Sequence, residues 1–145
     1  MSEQAIKVLL VDDEADYLQT LSKRLSMRKL EVYSATSGQE ALAELDKHSV
    51  DVVVLDVRMP GMDGLEAIKE IKKRFPMLEV IMLTGHADIE CSIEGMGCGA
   101  FDYLLKPVAI DELLYKIQDA YKVKTLKERK IADLKAAAQE RDQHA

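Results

Sequence analysis

The chain has 145 residues, 48% of them apolar and 32% charged, with two cysteines. That is enough for one domain with a buried core, and it excludes wholesale disorder, a disulfide framework and, since Cys91 and Cys98 have no His or Cys partner nearby, a zinc site. The formal net charge of −6 argues against nonspecific nucleic-acid binding, no apolar run reaches membrane-spanning length, and Met1-Ser2-Glu3-Gln4 lacks the regions of a signal peptide, so a cytoplasmic protein is expected.

Ile6-Lys7-Val8-Leu9-Leu10-Val11 reads as a first strand, followed by a helix on which Leu18, Leu21 and Leu25 share a face. Glu31-Val32-Tyr33-Ser34-Ala35 is a weaker strand, suited to a sheet edge. Ser37-Gly38-Gln39-Glu40 has the form of a capping box before Ala41, Leu42 and Leu45. Val52-Val53-Val54-Leu55 gives a third strand, and Leu65, Ile68 and Ile71 after Gly64 give a third helix. Val80-Ile81-Met82-Leu83 is a fourth strand. Ile89, Ile93 and Met96 mark a shorter helix, which Gly95, Gly97 and Gly99 end as a loop. Tyr103-Leu104-Leu105 is a fifth strand, and Asp111 has the character of an N-cap before Leu113, Leu114 and Ile117. The four strong strands run continuously apolar, as strands covered on both faces do. The order βαβαβαβαβα predicts an α/β fold, a doubly wound parallel sheet with right-handed crossovers.

Charge divides the chain. Residues 1–121 hold 13 basic against 22 acidic side chains; residues 122–145 hold 7 against 4 and no Gly or Pro. We read a globular domain over 1–121 and a polar helical tail over 122–145. In a register set by Val123 and Leu126, a strict heptad fails at Lys130 and Asp133. Three readings stay open for the tail: an extension of the fifth helix that helps dimerisation, a linker to an output domain, and a solvated helix. It is too short for a helix-turn-helix module, so direct nucleic-acid binding is not expected.

Polar residues stand at the C-terminal ends of the strong strands: Asp12 and Asp13, Asp56, Thr84 and Lys106. In an open parallel sheet these ends share one edge, where ligands bind beside the reversal of strand order. Each alone could be a solvated strand end. Together, three carboxylates would repel and raise one another's pKa unless a cation intervenes. Hard oxygen ligands of this kind suit Mg²⁺, which shares phosphate oxygens. A phosphoryl group would fit between Mg²⁺ and Lys106, with Thr84 donating a hydrogen bond and a carboxylate as nucleophile.

Four segments carry a resemblance: Val11-Asp12-Asp13-Glu14, Leu55 to Gly64 (Leu-Asp-Val-Arg-Met-Pro-Gly-Met-Asp-Gly), Leu83-Thr84-Gly85-His86 and Tyr103-Leu104-Leu105-Lys106-Pro107. Over about residues 5–121 the chain resembles the receiver domain of two-component response regulators. The resemblance implies a flavodoxin-like five-stranded sheet of order 2-1-3-4-5 flanked by five helices. It implies that Asp56 accepts a phosphoryl group from a sensor histidine kinase or phosphotransfer protein. Asp13, Asp56 and the backbone carbonyl of Arg58 would hold Mg²⁺, with Asp12 assisting through water. Lys106 would pair with Asp56 and then with the phosphoryl group, Thr84 would swing toward it, and Tyr103 would turn inward. Lys106-Pro107 matches the family's cis bond. A downstream protein would read the face of the fourth helix, fifth strand and fifth helix. No enzymatic activity is implied beyond self-phosphoryl transfer and autodephosphorylation. The stretch Leu83 to Ile89 is similar to receivers that precede ATPase-type transcription activators.

Arg58 and His86, each two positions past Asp56 and Thr84, would flank the attacking water and tune the phosphoryl lifetime; the plainer reading is two exposed loop residues. The plainer reading of Tyr103 is a core aromatic. Cys91 and Cys98 read as reduced, partly buried thiols. Met59, Met62, Met77, Met82 and Met96 read as core and loop fillers. A Mg²⁺-dependent phosphohydrolase would want an acid where Arg58 stands. A flavin protein would want a phosphate loop where Asp12-Asp13-Glu14 stands. A degenerate docking module would not keep the Asp, Thr and Lys set.

Overall fold

In the computed structural model, which describes residues 5–58 and 64–143, five strands pair in parallel in the order β2-β1-β3-β4-β5. They are β1 (Lys7–Val11), β2 (Glu31–Ala35), β3 (Val52–Asp56), β4 (Glu79–Thr84) and β5 (Asp102–Leu105). The helices are α1 (Ala15–Ser26), α2 (Gly38–Lys47), α3 (Gly64–Arg74), α4 (Ile89–Gly97) and α5 (Ile110–Gln143), with a 3₁₀ turn at His86–Asp88. Order and layering agree with the expectation.

The layers follow from strand geometry, because successive side chains point to opposite faces. Leu9, Val11, Val53, Leu55, Val80 and Met82 pack against Ala41, Leu42 and Leu45 of α2 and Ala67, Ile68 and Ile71 of α3. Val8, Leu10, Val52, Val54, Ile81 and Leu83 pack the other way, against Leu18, Leu21 and Leu25 of α1 and Leu113, Ile117 and Ala120 of α5. β3 and β4 are buried at every position, so they have no face on which a polar alternation would be favoured.

Two elements depart from the sequence reading. β5 is an edge strand, and of its apolar run Leu104 is buried while Tyr103 and Leu105 remain 42% and 37% exposed. In α4 the apolar stripe is turned outward: Ile89, Ile93 and Met96 are exposed, and the buried residues are Ser92 and Gly95. Close packing is the reason. A Cβ on Gly95 would stand 2.3 Å from Met82 Sδ, so the helix lies too near β4 for a larger inner residue. Gly95 and Gly97 therefore belong to α4, and Gly99, at φ +108°, makes the turn out of it. Cys91 is exposed, Cys98 is partly buried, and both thiols are free. Met82 is a core residue and Met96 is 40% exposed, while Met59 and Met62 lie outside the described residues.

The helix ends show the local chemistry. Ser37 Oγ accepts a hydrogen bond from the Glu40 N–H at 3.1 Å, as a cap should. The Glu40 carboxylate is taken by the Thr36 hydroxyl at 2.8 Å. Asp111 is not an N-cap: α5 begins at Ile110, with the Leu113 N–H donating to the Ala109 carbonyl, and Asp111 lies in the first turn, where negative charge suits the helix dipole.

α5 runs unbroken for 34 residues, past position 121 into the tail. Its packed seam is Leu113, Ile117 and Ala120, and the same spacing continues to Lys124 and Lys127. Lys124 Nζ donates to Asp51 Oδ1 at 3.0 Å, and Lys127 Nζ to Glu79 Oε1 at 3.0 Å. Both carboxylates stand at strand starts, on the sheet edge opposite Asp56, and Glu79 is 2% exposed. Further along, Ile131 and Leu134 keep the spacing but are exposed.

Gly64 opens α3 where a side chain has no room. A Cβ there would stand 2.6 Å from Val57 Cα and 2.7 Å from the Val57 carbonyl oxygen. Backbone cannot yield as a side-chain tip does, and Val57 directly follows Asp56. Gly64→Ala is expected to destabilise the fold by about 1–3 kcal/mol, read as a lower urea midpoint. An unchanged midpoint would show that the α3 start can shift freely.

Candidate functional site

All strands are parallel, so their C-terminal ends share one edge. β1 delivers Asp12 and Asp13 there, β3 delivers Asp56, β4 delivers Thr84, and the turn after β5 delivers Lys106. The strand order reverses at β1, with β2 on one side and β3 on the other, and the acids flank that point.

Asp12 is 3% and Asp56 7% exposed, whereas Asp13 is open to solvent. A carboxylate oxygen from each can be chosen so that all three lie within 4.8 Å of one another. Lys106 Nζ reaches Asp12 Oδ2 at 3.2 Å and Asp56 Oδ2 at 3.5 Å. The outer oxygens are held by backbone: Asp12 Oδ1 accepts from the Glu14 N–H at 2.9 Å, and Asp56 Oδ1 from the Arg58 N–H at 3.1 Å. The Lys106 N–H donates to the Thr84 carbonyl at 2.8 Å, and the bond before Pro107 is cis. The Tyr17 ring of α1 lies 5.0 Å from the ammonium, within cation–π reach.

Burial lifts the Asp56 carboxyl above the ordinary carboxylate range. The Arg58 N–H and Lys106 pull it down, while Asp12 and Asp13 add to the lift. Burial draws the Lys106 ammonium down, but Asp56 and Asp12 outweigh it and hold the group above its usual value. The pair is thus a cation held beside a buried anion.

Above them opens a cleft of about 500 Å³ lined by Asp13, Glu14, Asp56, Arg58, Gly85, Asp88 and Lys106. Thr84 is fully buried beneath it, its hydroxyl within 3.2 Å of the Gly85 carbonyl and 3.3 Å of the Asp88 carbonyl. The Tyr103 ring sits at the surface of β5. His86 opens the 3₁₀ turn, and its side chain lies outside the described residues. The sequence therefore named five residues that the fold gathers at one edge, and a sixth, Tyr103, that it leaves outward.

A family model described as the response regulator receiver domain matches residues 8–118. The chain belongs to this family. Receivers serve phosphorylation-based signalling in two-component systems. The regulatory protein AtoC of Escherichia coli is 37% identical to this receiver over 121 residues, 83% of this chain and 26% of that protein. The DNA-binding transcriptional regulator NtrC of Salmonella typhimurium is 42% identical over 113 residues, 78% of this chain and 24% of that protein. The chain thus spans about a quarter of the length of these relatives. Among solved structures, a receiver domain protein from Clostridium thermocellum shares 40% identity at a TM-score of 0.80, covering 83% of this chain and 98% of that one. NtrX from Brucella abortus, in complex with ADP, shares 35% identity at 0.83, covering 90% and 30%.

Two residues that contact the receiver's site residues escaped the sequence reading. Tyr17 looks in sequence like one more apolar position on α1, and its nearness to Lys106 depends on the α1–β5 placement. Asp88 is four residues past Thr84, and its side chain pairs with Arg58 at 3.4 Å across the cleft. Nothing in the spacing signals that pair.

The raised Asp56 carboxyl has a stability consequence. Between its unfolded and folded pKa the native state keeps a proton that the unfolded chain has released, so stability falls as pH rises through that window and stays lower at neutral pH. Asp56→Asn is expected to raise Tm at pH 7 in metal-free buffer, since Asn keeps the site neutral as the buried acid cannot. A lower Tm in calorimetry would mean that the Lys106 pair outweighs burial.

Proposed function

We propose that this receiver accepts a phosphoryl group onto Asp56, in a Mg²⁺-dependent reaction, from a phosphohistidine of a sensor histidine kinase or phosphotransfer protein. The observation that carries the reading is Lys106 Nζ lying 3.5 Å from Asp56 Oδ2 at the mouth of an acid-lined cleft. An Asp56 oxygen attacks phosphorus, the P–N bond to the donor imidazole breaks, and its electron pair returns to the ring, which takes up a proton. Lys106 stays within reach of the oxygens on which negative charge gathers. The phosphoryl group adds roughly −1.5 to −2 charge and strong acceptor oxygens, which draw the Lys106 ammonium and the Thr84 hydroxyl.

The donor set fits a hard divalent cation: three carboxylates gathered within 4.8 Å, more negative charge than the Lys106 ammonium offsets. Asp13, Asp56 and the Arg58 carbonyl would hold Mg²⁺, with Asp12 through water. When bound, the ion neutralises charge on the transferring group.

The output is a surface change. Thr84 is tied to Asp88 at the entrance to α4; α4 leaves Ile89, Ile93 and Met96 exposed, β5 leaves Tyr103 and Leu105, and α5 leaves Tyr115. This apolar face suits a downstream protein or a second copy of the chain. Tyr103 would turn inward as Thr84 moves. Apart from this transfer and autodephosphorylation we assign no enzymatic activity. Arg58, not an acid, stands two positions after Asp56, which disfavours a phosphohydrolase. A cytoplasmic location suits such a module, and among the described residues no helix is long and apolar enough to cross a membrane. We assign this segment no nucleic-acid contact, consistent with its net charge of −6.

Acetyl phosphate or a cognate kinase is expected to label the wild type in Mg²⁺ buffer and to leave Asp56→Asn unlabelled; full labelling of that variant would refute the assignment. EDTA is expected to abolish labelling of the wild type. Unchanged uptake without metal would remove Mg²⁺ from the mechanism.

A further inference from the structure

Arg58 and Asp88 meet over the cleft from opposite sides. Arg58 follows β3 on the loop after the acceptor, and Asp88 ends the 3₁₀ turn after β4. Arg58 Nε lies 3.4 Å from Asp88 Oδ1, with the arginine side chain 73% exposed and the aspartate 15%. Asp88 is the anchored partner. Its N–H donates to the Gly85 carbonyl at 3.0 Å, and its carbonyl lies 3.3 Å from the Thr84 hydroxyl and 3.3 Å from the Ser92 hydroxyl of α4. One residue thus joins the guanidinium beside the acceptor, the buried hydroxyl below it and the first turn of α4.

We infer that Asp88 is a positioning residue that holds Arg58 away from the acceptor in the resting receiver, and that competition between Asp88 and the phosphoryl group for Arg58 sets how long Asp56 stays phosphorylated. The inference rests on the reading of Asp56 as phosphoacceptor. The Arg58 N–H already bonds Asp56 Oδ1 at 3.1 Å, so the side chain starts next to the position a phosphoryl group takes. A guanidinium is a planar fork that grips phosphate oxygens bidentately, and a dianion attracts it more than one carboxylate does. It cannot satisfy both partners in full. Loss of the group is hydrolysis: water oxygen bonds to phosphorus, the P–O bond to Asp56 breaks, its electron pair returns to the carboxylate, and the water proton passes to solvent. A guanidinium lying on the phosphoryl oxygens shields that approach.

Asp88→Asn removes the charge that retains Arg58 while keeping side-chain size and the main-chain bonds to Thr84, Ser92 and Gly85. The expected result is a phosphoryl half-life about two- to fivefold longer than wild type, the leverage of an exposed ion pair. The test labels wild type, Asp88→Asn, Arg58→Ala and the double variant with radiolabelled acetyl phosphate in Mg²⁺ buffer, removes the donor and follows decay. Arg58→Ala should decay at least as fast as wild type. In that background Asp88→Asn should change nothing, since no guanidinium is left to release. Equal decay of Asp88→Asn and wild type overturns the inference, as does equal slowing with and without Arg58, which would place the effect in Thr84 or α4. A labelled wild type whose decay is indifferent to Asp88 leaves the Asp56 reading intact; an unlabelled wild type removes both.

Discussion

One ammonium group between two buried carboxylates governs the architecture of the site. Asp12 and Asp56 end neighbouring strands and are almost wholly buried, and Asp13 adds a third charge beside them. Left alone they would repel, and the sheet edge would resist closing around them. Lys106 crosses from the far edge of the sheet to reach both, at 3.2 and 3.5 Å. It neutralises part of the charge, and three carboxylates against one ammonium leave the rest. A site with residual negative charge and hard oxygen donors is suited to a further cation.

The helix that follows the cleft is held by little apolar burial. α4 buries Ser92 and Gly95 and turns its larger apolar residues outward. A helix held by so little apolar burial needs little energy to shift. Its entrance is tied to the cleft by the bonds of Asp88 to Thr84, Ser92 and Arg58. The sparse inner face and the apolar outer face are one feature: close approach at Gly95 forces the larger side chains away from the sheet.

α5 is fastened differently. Its apolar seam gives way to Lys124 and Lys127, which reach Asp51 and the buried Glu79 at the edge far from the cleft. The helix is thus gripped along the length of the domain and emerges beyond it in a defined direction.

Sequence by itself marked the central strands, because strands buried on both faces must be apolar throughout, and Val52 to Leu55 and Val80 to Leu83 are such runs between helical segments. It also determined which residues stand at the strand ends, since chain order and parallel pairing fix that edge. Tertiary structure alone decided what depends on packing distance between elements far apart in the chain. The outward turn of Ile89, Ile93 and Met96 is set by the closeness of Gly95 to Met82, which periodicity cannot report. The exposure of Tyr103 and Leu105 follows from β5 lying at an edge. The docked register through Lys124 and Lys127 was hidden because both positions are charged, and charge marks solvent until buried carboxylates are found opposite. The Arg58–Asp88 pair was hidden for the same reason: two polar loop residues thirty positions apart become partners only when β3 and β4 lie side by side.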